Sequence, residues 1–212
     1  MNKNETAIVL IEFQNDFTSE GGIFHEGVKE VMTKTNMLAN TEALVEKARK
    51  EGIQLIYIPI SFTENYTELT NNPYGIIKGI VDNNAFQKDS WGVEIIDSLT
   101  PQKGDIVIEG KRGLCGFHST NLDFILRSKG IKNIAIGGFL TNCCVESTMR
   151  TAYENGYNVV TLNDCCAGLS VEEHENAIAK DFPMFSEPMS SVEFMNVVDG
   201  QEELVLKGKG YE

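Results

Sequence analysis

The sequence predicts a three-layer α/β/α domain on an open, mostly parallel sheet, and three observations carry that expectation. Short apolar runs alternate with stretches of helical period along most of the chain. The helical stretches stop at Gly52, Gly130 and Gly156, and each glycine is followed at once by the next apolar run. The length of 212 residues suits one such domain, with enough chain to bury a core without disulfides or metals. Strands separated by helices pair in parallel through right-handed crossovers, which puts helices on both faces of the sheet. In such sheets ligands bind beyond the carboxyl ends of the strands, where the strand order reverses.

The first strand is read in "AIVLIEFQNDF", Ala7 to Phe17, where five apolar residues run without a break and then stop at Glu12. Leu38, Leu44, Val45 and Ala48 give one helix face, and "IQLIYIPI" from Ile53 to Ile60 is the second strand. "DIVIEG", Asp105 to Gly110, is the third. Ser119 or Thr120 can cap a helix carrying Leu122, Ile125 and Leu126, and "IKNIAIGG" follows as the fourth strand. Val145, Met149 and Ala152 stripe the next helix, "YNVVTLND" makes the fifth strand, and "VEEHENAIAKDF" a last helix.

Residues 61–104 break the alternation with a connection far longer than a crossover needs, expected to act as a lid or a subunit contact. The whole chain, 1–212, is read as one domain with a core over about 6–195 and a polar tail over 199–212. Lys and Arg total 18 against 31 Asp and Glu, a formal charge of -13, which argues against nucleic acid or an anionic membrane as partner. The five cysteines include the adjacent pairs Cys143-Cys144 and Cys165-Cys166, poor spacing for a secreted disulfide framework. The apolar run before Glu12 is too short for a signal-peptide core, and none approaches a membrane span, so a cytoplasmic location is expected.

Three groups fall at strand ends: Glu12 after the first strand, Lys111 after the third, and Cys144 after the fourth, at the start of a helix. A cysteine in a first helical turn beside an ammonium has its thiolate favoured. A nucleophile, a base and a cation that holds the base ionised are the parts of covalent amide hydrolysis. Taken singly, each has a plainer reading: Glu12 as a solvated exit from the core, Lys111 as a surface lysine, Cys144 as a small buried hydrophobe.

"GGFLTNCCVESTMRTAYENG" carries Thr141, Asn142, Cys144, Val145 and Thr148 in a spacing that resembles the isochorismatase-like cysteine hydrolase superfamily. "LIEFQNDF" is similar to that family's first-strand motif and "VIEGKRGLCGFHSTNLDFIL" to its lysine motif. The resemblance spans about residues 6–195 and implies a catalytic triad of Glu12, Lys111 and Cys144, working through a thioester on a C–N bond of a small molecule. It further implies a cis Phe139-Leu140 peptide and an oxyanion hole made by the N–H groups of Leu140 and Cys144. Cys143 occupies the family's variable position. A homo-oligomer, dimer or tetramer, is implied as well.

Two departures from the family pattern qualify these expectations. The family's first-strand acid is ordinarily Asp, and Glu12 is one methylene longer. That leaves open a catalytically silent binder, and a second enzymatic reading is an enol-ether hydrolase of the isochorismatase type, which needs a proton donor and a cation but no nucleophile. Where nicotinamidases of the superfamily carry a histidine metal site, this chain reads "PISFTENYTEL", and His25, His118 and His174 have no metal-ligand spacing, so no metal and no cofactor are expected. Phe17, Trp91, Phe117 and Phe139 fall on segments bordering the crevice, as substrate walls or as packing residues. Asp16 could in principle substitute for Glu12, but it lies beyond the strand end and reads rather as a structural acid that ties down the loop.

Overall fold

The computed structural model describes residues 1–200. These form a six-stranded sheet of order β3-β2-β1-β4-β5-β6, parallel at every pairing. The strands are β1 (Thr6–Ile11), β2 (Gln54–Ile58), β3 (Ile106–Val107), β4 (Asn133–Phe139), β5 (Asn158–Ala167) and β6 (Glu187–Met189). The order reverses between β1 and β4, so their carboxyl ends frame the crevice that a parallel α/β sheet offers to ligands. The expected polar tail falls almost wholly on residues 201–212, outside the described residues.

Every residue of β1 is buried, because β1 is central and covered on both faces. Its side chains alternate. Ile8 and Leu10 join a core completed by α2 (His25–Thr35), α3 (Met37–Glu51) and α8 (Ser191–Val198), through residues such as Val31, Leu44 and Phe194. Ala7, Val9 and Ile11 join the opposite core with α5 (Leu122–Ser128) and α6 (Glu146–Glu154), through Leu122, Leu126, Met149 and Ala152. Each fully buried Leu or Ile contributes about 1.5–3 kcal/mol, so the two cores hold the three layers together. Among the described residues no helix is long and apolar enough to cross a membrane.

The boundaries differ from the sequence reading in instructive places. The second strand stops at Ile58, since Pro59 has no N–H to continue a ladder. The third shrinks to two residues that pair only with Ile56 and Tyr57 at the sheet edge. The fifth runs on to Ala167, because a register shift between Ile136 and Gly138 lets Cys166 and Ala167 pair with Gly138 and Phe139. β6, with Pro188 at its centre, is missing from the sequence reading, and an edge position is where a strand tolerates proline. The last predicted helix regularises only as α7 (Val171–Asn176) before widening into a turn over Ala177–Asp181. The 61–104 connection contains α4 (Gly75–Asp82) and three single turns.

Candidate active site

β1 ends because Glu12 adopts a left-handed backbone, φ 58°, which a non-glycine residue seldom takes and which clusters at functional sites. Its N–H still donates to the Ile58 carbonyl at 3.1 Å, so the strand end stays anchored to β2 while the carboxylate lines the crevice. The next residues are clamps. Gln14 donates to the carbonyls of Ile60 (2.8 Å) and Val93 (2.7 Å) and accepts from Ile60 N–H (2.8 Å). Asp16, in the single turn α1 (Asn15–Thr18), accepts from Phe86 N–H at 2.7 Å and from Ile23 N–H at 3.3 Å. Gly92 packs so closely on Asp16 that a Cβ there would lie 2.2 Å from its carboxylate. Asp16 thus ties the long connection to the first strand.

Lys111 has no exposed surface, and its ammonium donates to Glu12 Oε1 and to the Gly113 carbonyl, the latter at 2.7 Å. Burial pulls the lysine pKa down, but the Glu12 carboxylate, with any negative charge on the neighbouring Cys144 and Cys143 sulfurs, outweighs it and leaves it above its ordinary value. The pair is enclosed, so neither charge is solvated by bulk water and each depends on the other.

The cysteine is delivered by β4. Gly138, φ 137°, passes so close to β1 that a Cβ would sit 2.0 Å from the Ile11 carbonyl oxygen, a position only glycine fits. The Phe139-Leu140 peptide that follows is cis. The chain then makes a wide π turn, Thr141–Val145, in which the N–H groups of Cys143 (3.0 Å) and Val145 (3.2 Å) both donate to the Leu140 carbonyl. Thr148 Oγ1 donates to the Cys144 carbonyl at 2.7 Å and accepts from Gly116 N–H at 2.8 Å, which locks the lysine-bearing loop onto the cysteine helix. Thr141 Oγ1 and His174 Nδ1 share a hydrogen bond of 2.8 Å behind this turn.

The thiol differs from the sequence expectation of a favoured thiolate. The neighbouring Cys143 thiol, burial and the Glu12 carboxylate all push the Cys144 pKa well above its ordinary value, against the pull of the Lys111 ammonium. Helix start and cation are present, but a carboxylate already owns the cation. The Cys144 thiol therefore holds its proton more tightly than an ordinary cysteine, with the Glu12 carboxylate on the same cavity.

Glu12, Cys144 and Leu140 open on a cavity of about 210 Å³ with otherwise apolar walls. Phe17, one of the four candidate aromatics, lines this cavity. The other three candidate aromatics are placed elsewhere. Phe139 is fully buried beneath the site, its ring stacked on Phe17 with centroids 4.9 Å apart. Trp91 is 51% exposed and outside the lining. Phe117 packs on Tyr157, 6.1 Å between centroids, against the opposite core. Among the walls that sequence reasoning missed are Phe24, Ile76, Gly79, Ile80, Phe86 and Leu169. Ile76, Ile77, Ile80 and Val81 carried a helical period that could have revealed α4, whereas Phe86 and Leu169 lie in loops with no local signal.

A parallel α/β sheet with a buried cysteine, carboxylate and lysine at its switch point defines the class: a cysteine hydrolase. Residues 6–193 match the isochorismatase domain model, and the chain belongs to the isochorismatase family. Among curated proteins it is 31% identical to the ureidoacrylate amidohydrolase RutB of Acinetobacter baylyi (strain ATCC 33305 / BD413 / ADP1), over 94% of this chain and 86% of that one. It is likewise 31% identical to RutB of Agrobacterium fabrum (strain C58 / ATCC 33970), over 76% and 75%. Of solved structures, a cysteine hydrolase from Pseudomonas syringae pv. phaseolicola 1448A superposes with a TM-score of 0.82 at 22% identity, covering 95% of this chain and 96% of that one. The N-carbamoylsarcosine amidase from Thermoplasma acidophilum shares the fold at a TM-score of 0.68 and 24% identity, over 88% and 96%. The protein is an amidohydrolase acting on a carbon–nitrogen bond.

Proposed function

We propose that Cys144 is the nucleophile, Glu12 the general acid–base and Lys111 the cation that orients Glu12, in hydrolysis of a terminal carbamoyl group, H2N–CO–, on a small molecule. The observation that carries this reading is that Glu12, bonded to the buried Lys111, lines the same cavity as Cys144. As sulfur attacks the carbonyl carbon, the thiol proton passes to Glu12. The oxygen charge that develops is held by the N–H groups of Leu140 and Cys144, donors preset for a charge that exists only in the transition state. Glu12 gives the proton to nitrogen, the C–N bond breaks and ammonia leaves. Water then adds to the thioester with Glu12 as base, and the proton returns to sulfur with release of the acid.

In this reading the longer Glu in place of Asp still serves, since its Oε1 accepts from the enclosed Lys111 ammonium. The curated relatives' names add support, since ureidoacrylate carries such a carbamoyl group. We also infer that the enzyme works in the cytoplasm as a homo-oligomer, which sedimentation of the purified chain tests.

The decisive assay is ammonia release from a panel of small carboxamides and ureido compounds, with Cys144→Ala and Glu12→Asp in parallel. Turnover by the native chain that vanishes in Cys144→Ala supports the covalent route. Ammonia release that survives in Cys144→Ala would sink it. Isochorismate consumption without ammonia release from any amide would replace it with enol-ether hydrolysis.

A further inference from the structure

The cavity that meets Cys144 carries one charge on its walls, and that charge is negative. Its lining consists of Phe, Ile, Leu and Gly residues together with Cys144 and the carboxylate of Glu12. The cations nearest in sequence are committed: Lys111 is fully enclosed and bonded to Glu12 and the Gly113 carbonyl, and Arg112 is held by Glu68 at 2.8 Å. A carboxylate bound here would lose its water and find no described cation to replace it, and it would face Glu12 at close range. A cationic body fares no better, since the Glu12 charge is already matched by Lys111. The excess of acids over bases in the whole chain, 31 to 18, also works against the approach of anions.

Resting on the carbamoyl-hydrolase reading above, we infer that the substrate of this site is uncharged, with an apolar body beyond its H2N–CO– group, and that carboxylate-bearing ureido acids such as ureidoacrylate are poor substrates. The scissile group occupies the polar end of the cavity, between Cys144, Glu12 and Leu140. The body lies against Phe17, Phe86 and the α4 residues Ile76 and Ile80. At about 210 Å³ the cavity has the volume of roughly seven liquid waters, which suits a body of a few carbons. The chemistry favours release as well: thioester hydrolysis converts a neutral amide and water into ammonia and an acid, and the new carboxylate has no cation to hold it there.

Gly79 sets the length of that body. It lines the cavity from α4, and a Cβ built there meets no atom within 4 Å, so a larger side chain fits there without clashing and is expected to narrow the space for that body.

The test compares propionamide, butyramide, hexanamide and n-butylurea with adipamic acid and ureidoacrylate, by kcat/KM for ammonia release. Each added methylene is expected to raise kcat/KM about fourfold until the cavity is full. The two carboxylate compounds should fall at least 100-fold below their neutral counterparts. Hexanamide against n-butylurea distinguishes a carboxamide from a urea as the preferred carrier of the group. Adipamic acid or ureidoacrylate matching or exceeding the neutral compounds would overturn the inference while leaving the hydrolase reading intact. Should no compound be turned over, the hydrolase reading fails, and calorimetric binding of the same compounds to the native chain still decides this one: neutral amides bind and carboxylates do not, or the inference is wrong. In Gly79→Leu the hexanamide-to-propionamide ratio should drop at least tenfold. An unchanged ratio would show that the body lies elsewhere.

Discussion

The chain contains two adjacent cysteine pairs, and they differ in everything but sequence spacing. Cys165 and Cys166 lie inside β5 and point to opposite faces of the sheet, one into each core. Burial pushes both thiols up, Cys166 to about 12, and no ammonium figures among the groups acting on them. They are small hydrophobes. Cys143 and Cys144 sit on a wide helical turn at the switch point, where Cys144 shares a cavity with a carboxylate backed by a lysine. Its pKa is raised too. A raised thiol pKa therefore does not separate Cys144 from Cys165 and Cys166; what separates them is the carboxylate that shares the Cys144 cavity, and in the proposed reaction that carboxylate takes the thiol proton.

The sharpest way to break the contrast is substitution. Cys144→Ala should lower kcat/KM by at least about 10³-fold with little change in melting temperature, whereas Cys166→Ala should keep activity within about twofold and cost about 1 kcal/mol of stability. Equal losses of activity would erase the distinction. Next, Lys111→Met leaves a buried carboxylate without its partner and should cost about 3–5 kcal/mol in denaturant unfolding along with most activity. Adding Glu12→Gln to Lys111→Met should return much of that stability and none of the activity, and a double variant no more stable than the single one would mean the pair is not the coupled unit described here.

A smaller effect is the alkaline limb of stability. Lys111 and the Cys144, Cys165 and Cys166 thiols all have folded pKa values above their ordinary ones, so the native state binds more protons than the unfolded chain once pH passes about 9. Their stabilisation is complete below the unfolded pKa values and is lost as pH climbs through the folded ones. Melting temperature should therefore fall from about pH 9 upward, and Cys166→Ala should flatten that fall. A flat profile to pH 11 or beyond would contradict the assigned directions.

Much of this site was legible in the sequence because its parts are local. Apolar runs ending at Glu12, before Lys111 and before Cys144 put all three residues at carboxyl strand ends, and any parallel sheet gathers such ends on one edge. The Gln14 and Asp16 clamps follow the same motif, and the structural part read for Asp16 is the one its hydrogen bonds to Phe86 and Ile23 describe. The walls were less legible. Trp91, Phe117 and Phe139 were candidates on the strength of residue type and neighbourhood, yet which way a ring points depends on the face of the element that carries it. Phe139 ends β4 facing the core beneath Phe17, and Phe117 faces Tyr157 across the other core.

By itself, then, the sequence determined the layer architecture and which three residues, Glu12, Lys111 and Cys144, fall beyond carboxyl strand ends, because hydrophobic period and order along the chain are properties of contiguous residues. Tertiary structure decided what those residues became. The pairing of Lys111 with Glu12 across 99 positions of chain, the raised thiol of Cys144 and the apolar cavity closed by α4 all arise from groups far apart in sequence. Desolvation and charge pairing depend on distance in space, and a linear pattern does not carry that distance.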